Sequence, residues 1–261
     1  MNACLQEGKY PRGMFSNVLC LGLFSYLRNC NLIPQYEKIY IDKFLLSLYG
    51  EWNNFFEDFY PIVDSYSISN CVFLDTTQFW RNPILENLEE LTPKDLEKIR
   101  RGFFAFKEKL IIKKDIEEKV KELSDLHEIK NCIGMHIRRT DHFQHLPILP
   151  EHCFTSIIET APQQKFFIAT DDKNIALAFK SKYPNVRINE NFIRSESKIG
   201  THYLQLSSAK RITLGKETLI DTLLLSNCKE VIGTISNVTT FVQVANPIIS
   251  FVNFRKIVKS V

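Results

Sequence analysis

The segment NCIGMHIRRTD, residues 131–141, decides the fold class of this 261-residue chain. Its apolar first part predicts a buried strand over 132–138, and polar residues follow at once. Strands and helices alternate from there on, a rhythm that implies βαβ units and a parallel sheet. The further predicted strands are 165–169, 186–189, 230–234 and 248–252, with predicted helices at 151–160, 173–183, 217–227 and 239–245.

The half of the chain before this segment is less regular. It predicts a helix over 14–29, strands over 38–42 and 71–75, and a buried aromatic stretch with some helix over 52–60. Thr92 and Pro93 then read as a helix start, and a second amphipathic helix follows. Its inward positions are Ile116, Val120 and Leu123. We expect this helical pair to bridge two domains, residues 1–125 and residues 126–261.

Composition excludes several classes of protein. Hydrophobic residues make up 44% of the chain, which excludes disorder, and a net charge of +3 is too weak to predict nucleic-acid binding. The seven cysteines include no CxxC pair, so neither a zinc site nor a disulfide framework is expected. No signal peptide and no membrane-spanning segment is expected either, so we predict a cytoplasmic protein.

The ends of the predicted strands carry the candidate site, because parallel sheets bind ligands beyond their carboxyl ends. His136 and Arg138 share one face of the first strand, and Arg139 lies on the other. A guanidinium at the strand end can bind a phosphate with two hydrogen bonds and stabilise a diphosphate leaving group. The alternative is that the two arginines pair with Asp141 or another acid.

Two further strand ends are polar. Asp171 and Asp172 follow the second strand, where they can hold a metal, contact a ligand or cap the next helix. Ser236 and Asn237 lie in the turn after the strand at 230–234, where a helix N-terminus offers N–H groups to an anion. Ordinary capping is the alternative for both.

Asp221 precedes this last turn, in the predicted helix. A carboxylate can accept two hydrogen bonds from guanine, through N1–H and the 2-amino group. Alternatively, Asp221 is only a first-turn acid of a helix that begins near Gly215.

Three stretches resemble the motifs of the GDP-fucose-dependent fucosyltransferases, in particular the α1,6-fucosyltransferases. Residues 133–141 resemble their HxRRxD motif, 167–172 the second motif, and 221–237 the third. The resemblance spans residues 131–246. The stretch 11–17, with Gly13 and Asn17, loosely resembles the loop that opens these enzymes near the donor.

The resemblance implies a GT-B-like α/β fold, in which two Rossmann-type lobes face each other across a cleft. It implies an inverting enzyme, without metal or other cofactor, that moves L-fucose from GDP-fucose to a glycan hydroxyl. The N-terminal lobe would then lie on the acceptor side and the C-terminal lobe would bind the nucleotide sugar. The implied donor-binding residues are His136, Arg138, Arg139, Asp171, Asp172, Asp221, Ser236, Asn237, Gly13 and Asn17, with Arg138 on the β-phosphate.

The acceptor side departs from the family pattern. The family's lysine is replaced by His142, and no glutamate follows. Asp141, His142 and His145 are therefore the candidates for the general base, beside Arg138 as the group that stabilises the leaving diphosphate. Two rivals stay open, namely a GT-B enzyme for another nucleotide sugar and a non-catalytic protein that binds a nucleotide sugar or glycan. A dinucleotide or kinase-like enzyme is disfavoured, since GxGxxG and GxxxxGK are absent.

Overall fold

A computed structural model gives the structure of the chain. It describes residues 2–6, 13–43, 45–46, 48–56, 62–63, 71–76, 92–106, 112–140 and 149–254. The chain forms two compact units, Met1–Glu117 with Ser207–Lys216, and Glu118–Leu206 with Glu217–Val261. Within the described ranges, every helix is too short or too polar to cross a bilayer.

The first unit is built on a parallel sheet of four strands. These are β1 (Asn2–Gln6), β2 (Ile39–Asp42), β3 (Ile62–Val63) and β4 (Cys71–Asp75), in the order β3-β2-β1-β4. Helix α1 (Met14–Asn29) is buried over its first twelve residues, so it belongs to the core of the unit. Helix α2 (Pro93–Phe106) packs against α1.

The start of α2 has the cap that its sequence predicts. The Thr92 hydroxyl donates to Asp95 Oδ2 at 2.6 Å, and the Asp95 backbone N–H donates back to Thr92 Oγ1 at 3.2 Å. The Thr92 backbone N–H also reaches Asp95 Oδ2, at 3.2 Å. These bonds satisfy amide groups that have no partner inside the helix.

The second unit is built on a parallel sheet of five strands. They are β5 (Cys132–Ile137), β6 (Lys165–Thr170), β7 (Val186–Arg187), β8 (Glu230–Gly233) and β9 (Ser250–Asn253), in the order β7-β6-β5-β8-β9. The helices that follow α2 in the chain are α3 (Lys114–His127), α4 (Glu151–Thr160), α5 (Lys173–Lys182), α6 (Ser208–Ser226) and α7 (Asn237–Ala245).

The order of this sheet places the topological switch point between β5 and β8. The chain moves outward from β5 through β6 to β7, then returns to the other side of β5 for β8 and β9. In open α/β sheets, ligands bind in the crevice outside the carboxyl ends of the two strands at that point. The residues just after β5 and β8 are therefore those that the fold brings to this crevice.

A buried apolar cluster fixes the position of these strand ends. Met135 and Ile137 of β5 lie in it, beside Ile168 of β6 and Ile232 of β8. Gly233 closes the pairing of β8 with β5, because a Cβ atom there would lie 3.1 Å from the His136 carbonyl oxygen and 3.2 Å from its Cβ. The two strands can approach this closely only without a side chain at Gly233.

The α/β class with parallel sheets is confirmed, and the bounds of most predicted elements agree within two residues. Strands β1 and β3 have no counterpart in the prediction. The stretch 52–60 contains a short 3-10 helix at Trp52–Asn54, and residues 57–60 lie outside the described residues.

Helix α6 begins at Ser208, nine residues before the predicted start at 217. Its first turns, 207–216, belong to the first unit, whereas the sequence places all of 126–261 in one lobe. The reason is packing. Gly215 lies so close to Phe55 that an added Cβ would come within 2.7 Å of the ring. Because Gly is unfavourable inside a helix, the sequence around Gly215 predicts a loop.

Candidate functional site

The candidate site is built around the end of β5. His136 is buried in the strand, paired with Gly233 of β8 and Ala169 of β6. Arg138 and Arg139 follow the last strand residue and are half-buried. The fold thus carries both arginines to the carboxyl edge of the sheet, next to the switch point.

Asp171 holds the backbone that follows these arginines. Its carboxylate accepts a hydrogen bond from the Arg139 N–H at 2.8 Å, from the Thr140 N–H at 3.3 Å and from the Thr140 hydroxyl at 2.6 Å. The Arg139 side chain donates from Nη1 to the Leu149 carbonyl at 3.0 Å. Arg139 and Asp171 thereby fix the direction in which the chain leaves β5, and their predicted donor contacts stay predictions.

Asp172 caps helix α5. Its Oδ1 accepts from the N–H groups of Asn174 and Ile175 at 2.8 and 3.1 Å, which is the capping alternative of the sequence analysis. A donor contact for Asp172 remains a prediction. In the part of the chain that the structure describes, no cluster of three or more His, Cys, Asp or Glu side chains is placed to hold a metal ion.

The turn after β8 is held by a reciprocal cap. Ser236 Oγ accepts from the Thr239 N–H at 3.2 Å, and the Ser236 N–H donates to Thr239 Oγ1 at 2.9 Å. Asn237 is the first residue of α7, and within the described ranges its buried Oδ1 has no hydrogen-bond partner. This capping fixes the N-terminus of α7 at the switch point, where the sequence predicts an anion site.

Asp221 lies in the second half of α6, so the alternative of a first-turn acid is wrong. Its Oδ1 accepts from Asn189 Nδ2 at 2.7 Å, and its Oδ2 lies 3.6 Å from Arg194 Nη2. Burial raises the pKa of Asp221 to about 6, although Arg194 and Asn189 act in the opposite direction. One turn earlier, Glu217 accepts from the Ile193 N–H at 2.6 Å, and burial raises its pKa as well.

Arg194 ties this cluster to the carboxyl end of β6. Its Nε donates to the Thr170 carbonyl at 3.1 Å, and its Nη1 donates to the carbonyls of Asn189 and Phe192 at 2.6 and 3.3 Å. Neither Asn189 nor Arg194 is among the site residues predicted from the sequence. Asn189 ends a predicted strand, which is a signal that sequence reasoning can use. Arg194 lies in a polar stretch that contains no predicted strand end.

Gly13 and Asn17 belong to the first unit. Gly13 precedes α1 with an ordinary φ of −60°, and a Cβ there would meet nothing within 4 Å. Asn17 is fully buried, donates to the Leu45 carbonyl at 2.9 Å and accepts from the Thr76 hydroxyl at 3.0 Å. Asn17 therefore acts as an internal tie in this structure, and the predicted donor contacts of both residues stay predictions.

The candidates for the general base, Asp141, His142 and His145, lie outside the described residues. Their roles stay predictions too.

Comparison with known proteins gives a fold. No protein-family model matches the chain, and no curated protein matches it. Several solved structures do match the chain. NodZ α-1,6-fucosyltransferase soaked with GDP-fucose is 16% identical, with a TM-score of 0.58 over 94% of this chain and 92% of that one. NodZ co-crystallised with GDP is 15% identical, with a TM-score of 0.57 over 92% and 91%.

A structure of fucosyltransferase NodZ from Bradyrhizobium is similar to the same degree. It is 15% identical, with a TM-score of 0.60 over 97% of this chain and 95% of that one. The predicted resemblance to the fucosyltransferase superfamily is confirmed at the level of the fold.

Proposed function

We propose that this chain is an inverting glycosyltransferase that moves L-fucose from GDP-fucose to a hydroxyl group of a glycan, without a metal ion. In this proposal its two α/β units are the lobes of a GT-B arrangement. One observation carries the proposal. The Arg138–Arg139 pair leaves β5 at the switch point of a Rossmann-like sheet, in a chain with the fold of a fucosyltransferase.

The geometry of the second unit fits a GDP-sugar donor. Arg138 emerges beside the capped N-terminus of α7, so a diphosphate in this crevice meets a guanidinium and the N–H groups of a helix start. Both favour the negative charge that grows on the diphosphate as the bond to fucose breaks. Asp221 supplies a carboxylate for the nucleobase of the donor, and a carboxylate favours guanine over uracil.

The reaction itself is a single displacement. The acceptor oxygen attacks the anomeric carbon of fucose, its proton passes to a base, and GDP leaves from the opposite face with the bonding electron pair. Asp141, His142 and His145 are the proposed candidates for the base. An unperturbed histidine has a pKa of about 6.5, so it is mostly neutral at pH 7.5 and can take the proton.

Calorimetric titration with GDP, with UDP as the control nucleotide and EDTA present, tests the donor site first. The proposal requires GDP to bind more tightly than UDP without metal. Binding that favours UDP, or that needs a divalent cation, contradicts it.

Turnover is tested by NMR on GDP-fucose, since the appearance of free fucose or a new glycoside shows cleavage at the anomeric carbon. Arg138→Ala should abolish that signal, because the variant loses the guanidinium proposed to stabilise the leaving diphosphate. A variant that keeps the wild-type rate would remove Arg138 from the mechanism. Tight GDP binding with no cleavage in the wild-type protein would favour the rival, a non-catalytic nucleotide-sugar-binding protein.

A further inference from the structure

Three polar side chains, those of His127, Asn189 and Arg194, form a largely buried relay with Asp221. His127 Nε2 lies 3.0 Å from Asn189 Oδ1, Asn189 Nδ2 lies 2.7 Å from Asp221 Oδ1, and Arg194 Nη2 lies 3.6 Å from Asp221 Oδ2. The Arg194 side chain is 2% exposed, whereas that of Asp221 is 14% exposed. The two ends of the relay, His127 and Asp221, are partly exposed, whereas Asn189 and Arg194 between them are buried.

The relay has one consistent direction of donation. A carboxylate without a proton only accepts, so the Asn189 amide must present its NH2 group to Asp221 and its oxygen to His127. His127 must then donate from Nε2. Burial lowers the pKa of His127, so the neutral Nε2–H tautomer is the form at pH 7, and protonated His127 would donate from the same atom.

Asp221 keeps acceptor capacity beyond this relay. Each carboxylate oxygen can accept two hydrogen bonds. Among the described residues, Oδ1 has one donor and Oδ2 has only the long ion pair with Arg194. Neighbouring N–H donors at the spacing of guanine N1–H and its 2-amino group match two oxygens held side by side.

We propose that Asn189 and Arg194 are positioning residues, which hold the Asp221 carboxylate in place as a two-oxygen acceptor for the base of a guanine nucleotide. The inference rests on the proposed GDP-sugar function. It adds to that function the residues that give the site its preference for guanine. Neither residue needs to touch the nucleotide.

Within the relay, the charge of Asp221 is the property that depends on pH. A protonated carboxyl presents an O–H and cannot accept from both guanine donors. Arg194 and Asn189 favour the ionised form, whereas burial and Glu217 oppose it. Around His127, Lys180 and Arg187 disfavour the protonated ring and Glu190 favours it. Removal of Arg194 should therefore raise the pKa of Asp221 further.

The test is the ratio of GDP to UDP affinity, measured by calorimetry from pH 5 to pH 8.5. The two nucleotides share ribose and diphosphate, so titration of the phosphate and loss of fold cancel in the ratio. In the wild-type protein the ratio should fall as pH drops through about 6. In Arg194→Met the midpoint should rise by roughly one pH unit, and the ratio at pH 7 should fall about twofold, because about half of the carboxyl is then protonated.

Two more variants and one control complete the set. Asn189→Leu removes the short donor and should also lower the ratio. Arg194→Lys restores the charge and should return the midpoint towards that of the wild-type protein. Lys182→Met, which removes a surface ion pair with Glu159 at 63% and 52% exposure, should change neither ratio nor midpoint.

Inosine diphosphate, which lacks the 2-amino group, adds a second readout. The wild-type protein should prefer GDP to inosine diphosphate by roughly tenfold, the value of one hydrogen bond to a charged group. In Arg194→Met this preference should approach one.

An unchanged GDP to UDP ratio in both Arg194→Met and Asn189→Leu would overturn the proposal. An equal loss of GDP and UDP affinity in both variants would overturn it as well, since the pair would then only maintain the fold. If the wild-type protein shows no preference for GDP at all, the proposed function fails instead.

Discussion

At the scale of single residues, the carboxylates of Asp171 and Asp172 in the second unit accept hydrogen bonds that fix the local backbone. Asp171 accepts three hydrogen bonds from Arg139 and Thr140, and Asp172 caps α5. From the sequence, two acids at a strand end are equally compatible with a metal site. The cap made by Asp172 is local, since its partners lie two and three residues further along the chain. The partners of Asp171 lie more than thirty residues away, and only folding brings them together.

We predict that Asp171→Asn displaces the Arg138–Arg139 segment. The amide keeps one acceptor oxygen and turns an NH2 group towards N–H donors, so a buried donor is left unsatisfied. The expected loss is about 1–3 kcal/mol of unfolding free energy, with at least a tenfold fall in kcat/KM for transfer. Urea unfolding followed by far-UV circular dichroism, together with steady-state assays, measures both. Asp125→Asn, at an exposed helix position, is the matched control and should change neither.

Asp221 also predicts a pH dependence of stability. Its folded-state pKa is about 6, above its ordinary value of 3.8, so the folded state binds this proton more tightly than the unfolded state. The contribution is fully present below about pH 3.8 and is lost as pH rises through about 6.

The difference in unfolding free energy between the wild-type protein and Asp221→Asn isolates this titration. Between pH 4 and pH 7 the wild-type protein should lose about 2.4 kcal/mol relative to the variant. Urea unfolding at a series of pH values provides the measurement. A difference that stays constant over this range would show that Asp221 has an ordinary pKa.

At the scale of elements, the turn from β8 to α7 is the most strongly determined part of the site. Gly233 allows β8 to approach His136, and Ser236 and Thr239 then satisfy each other's backbone groups. The sequence GTISNVT, residues 233–239, contains Gly233, Ser236 and Thr239, so the turn and its cap can be predicted from local sequence. Its position at a switch point follows from the strand order.

Ser236→Ala should remove about 1 kcal/mol of stability, because the Thr239 N–H loses its acceptor. Diphosphate affinity should weaken with it, since the start of α7 is less well fixed. Ser156→Ala, in an exposed position inside α4, serves as the control and should stay within about 0.5 kcal/mol of wild type. Equal effects of the two changes on stability and on GDP binding would contradict the assigned role of the cap.

At the scale of the whole molecule, the units are not two consecutive pieces of chain. Helix α6 starts in the first unit and ends in the second, with Gly215 on the first side of that boundary and Asp221 on the second. Gly215 packs so closely on Phe55 and Tyr49 that a side chain there would fit only if the Phe55 ring shifted. The first turns of α6 are therefore fixed in the core of the first unit.

Gly215→Ala has two opposing effects on the stability of the first unit. Alanine improves helix propensity by about 1 kcal/mol, but a Cβ at 2.7 Å from a fully buried Phe55 ring overpacks the core by about 1–3 kcal/mol. We expect net destabilisation of the first unit, measured by urea unfolding followed through the fluorescence of the buried Trp52. Gly13→Ala, whose Cβ would enter open space, should leave that transition unchanged. Stabilisation by Gly215→Ala would show that Phe55 moves away freely.

The sequence by itself determined the α/β class, the parallel second sheet, most element bounds and the strand ends that carry the candidate site. It could do so because strand and helix periodicity, caps and turns are local properties of neighbouring residues. Only the tertiary structure decided that α6 begins at Ser208, that Asp171 holds the backbone of Arg139 and Thr140, and that Asn189 and Arg194 contact Asp221. Those facts depend on burial and on contacts across tens of residues, which no local pattern encodes.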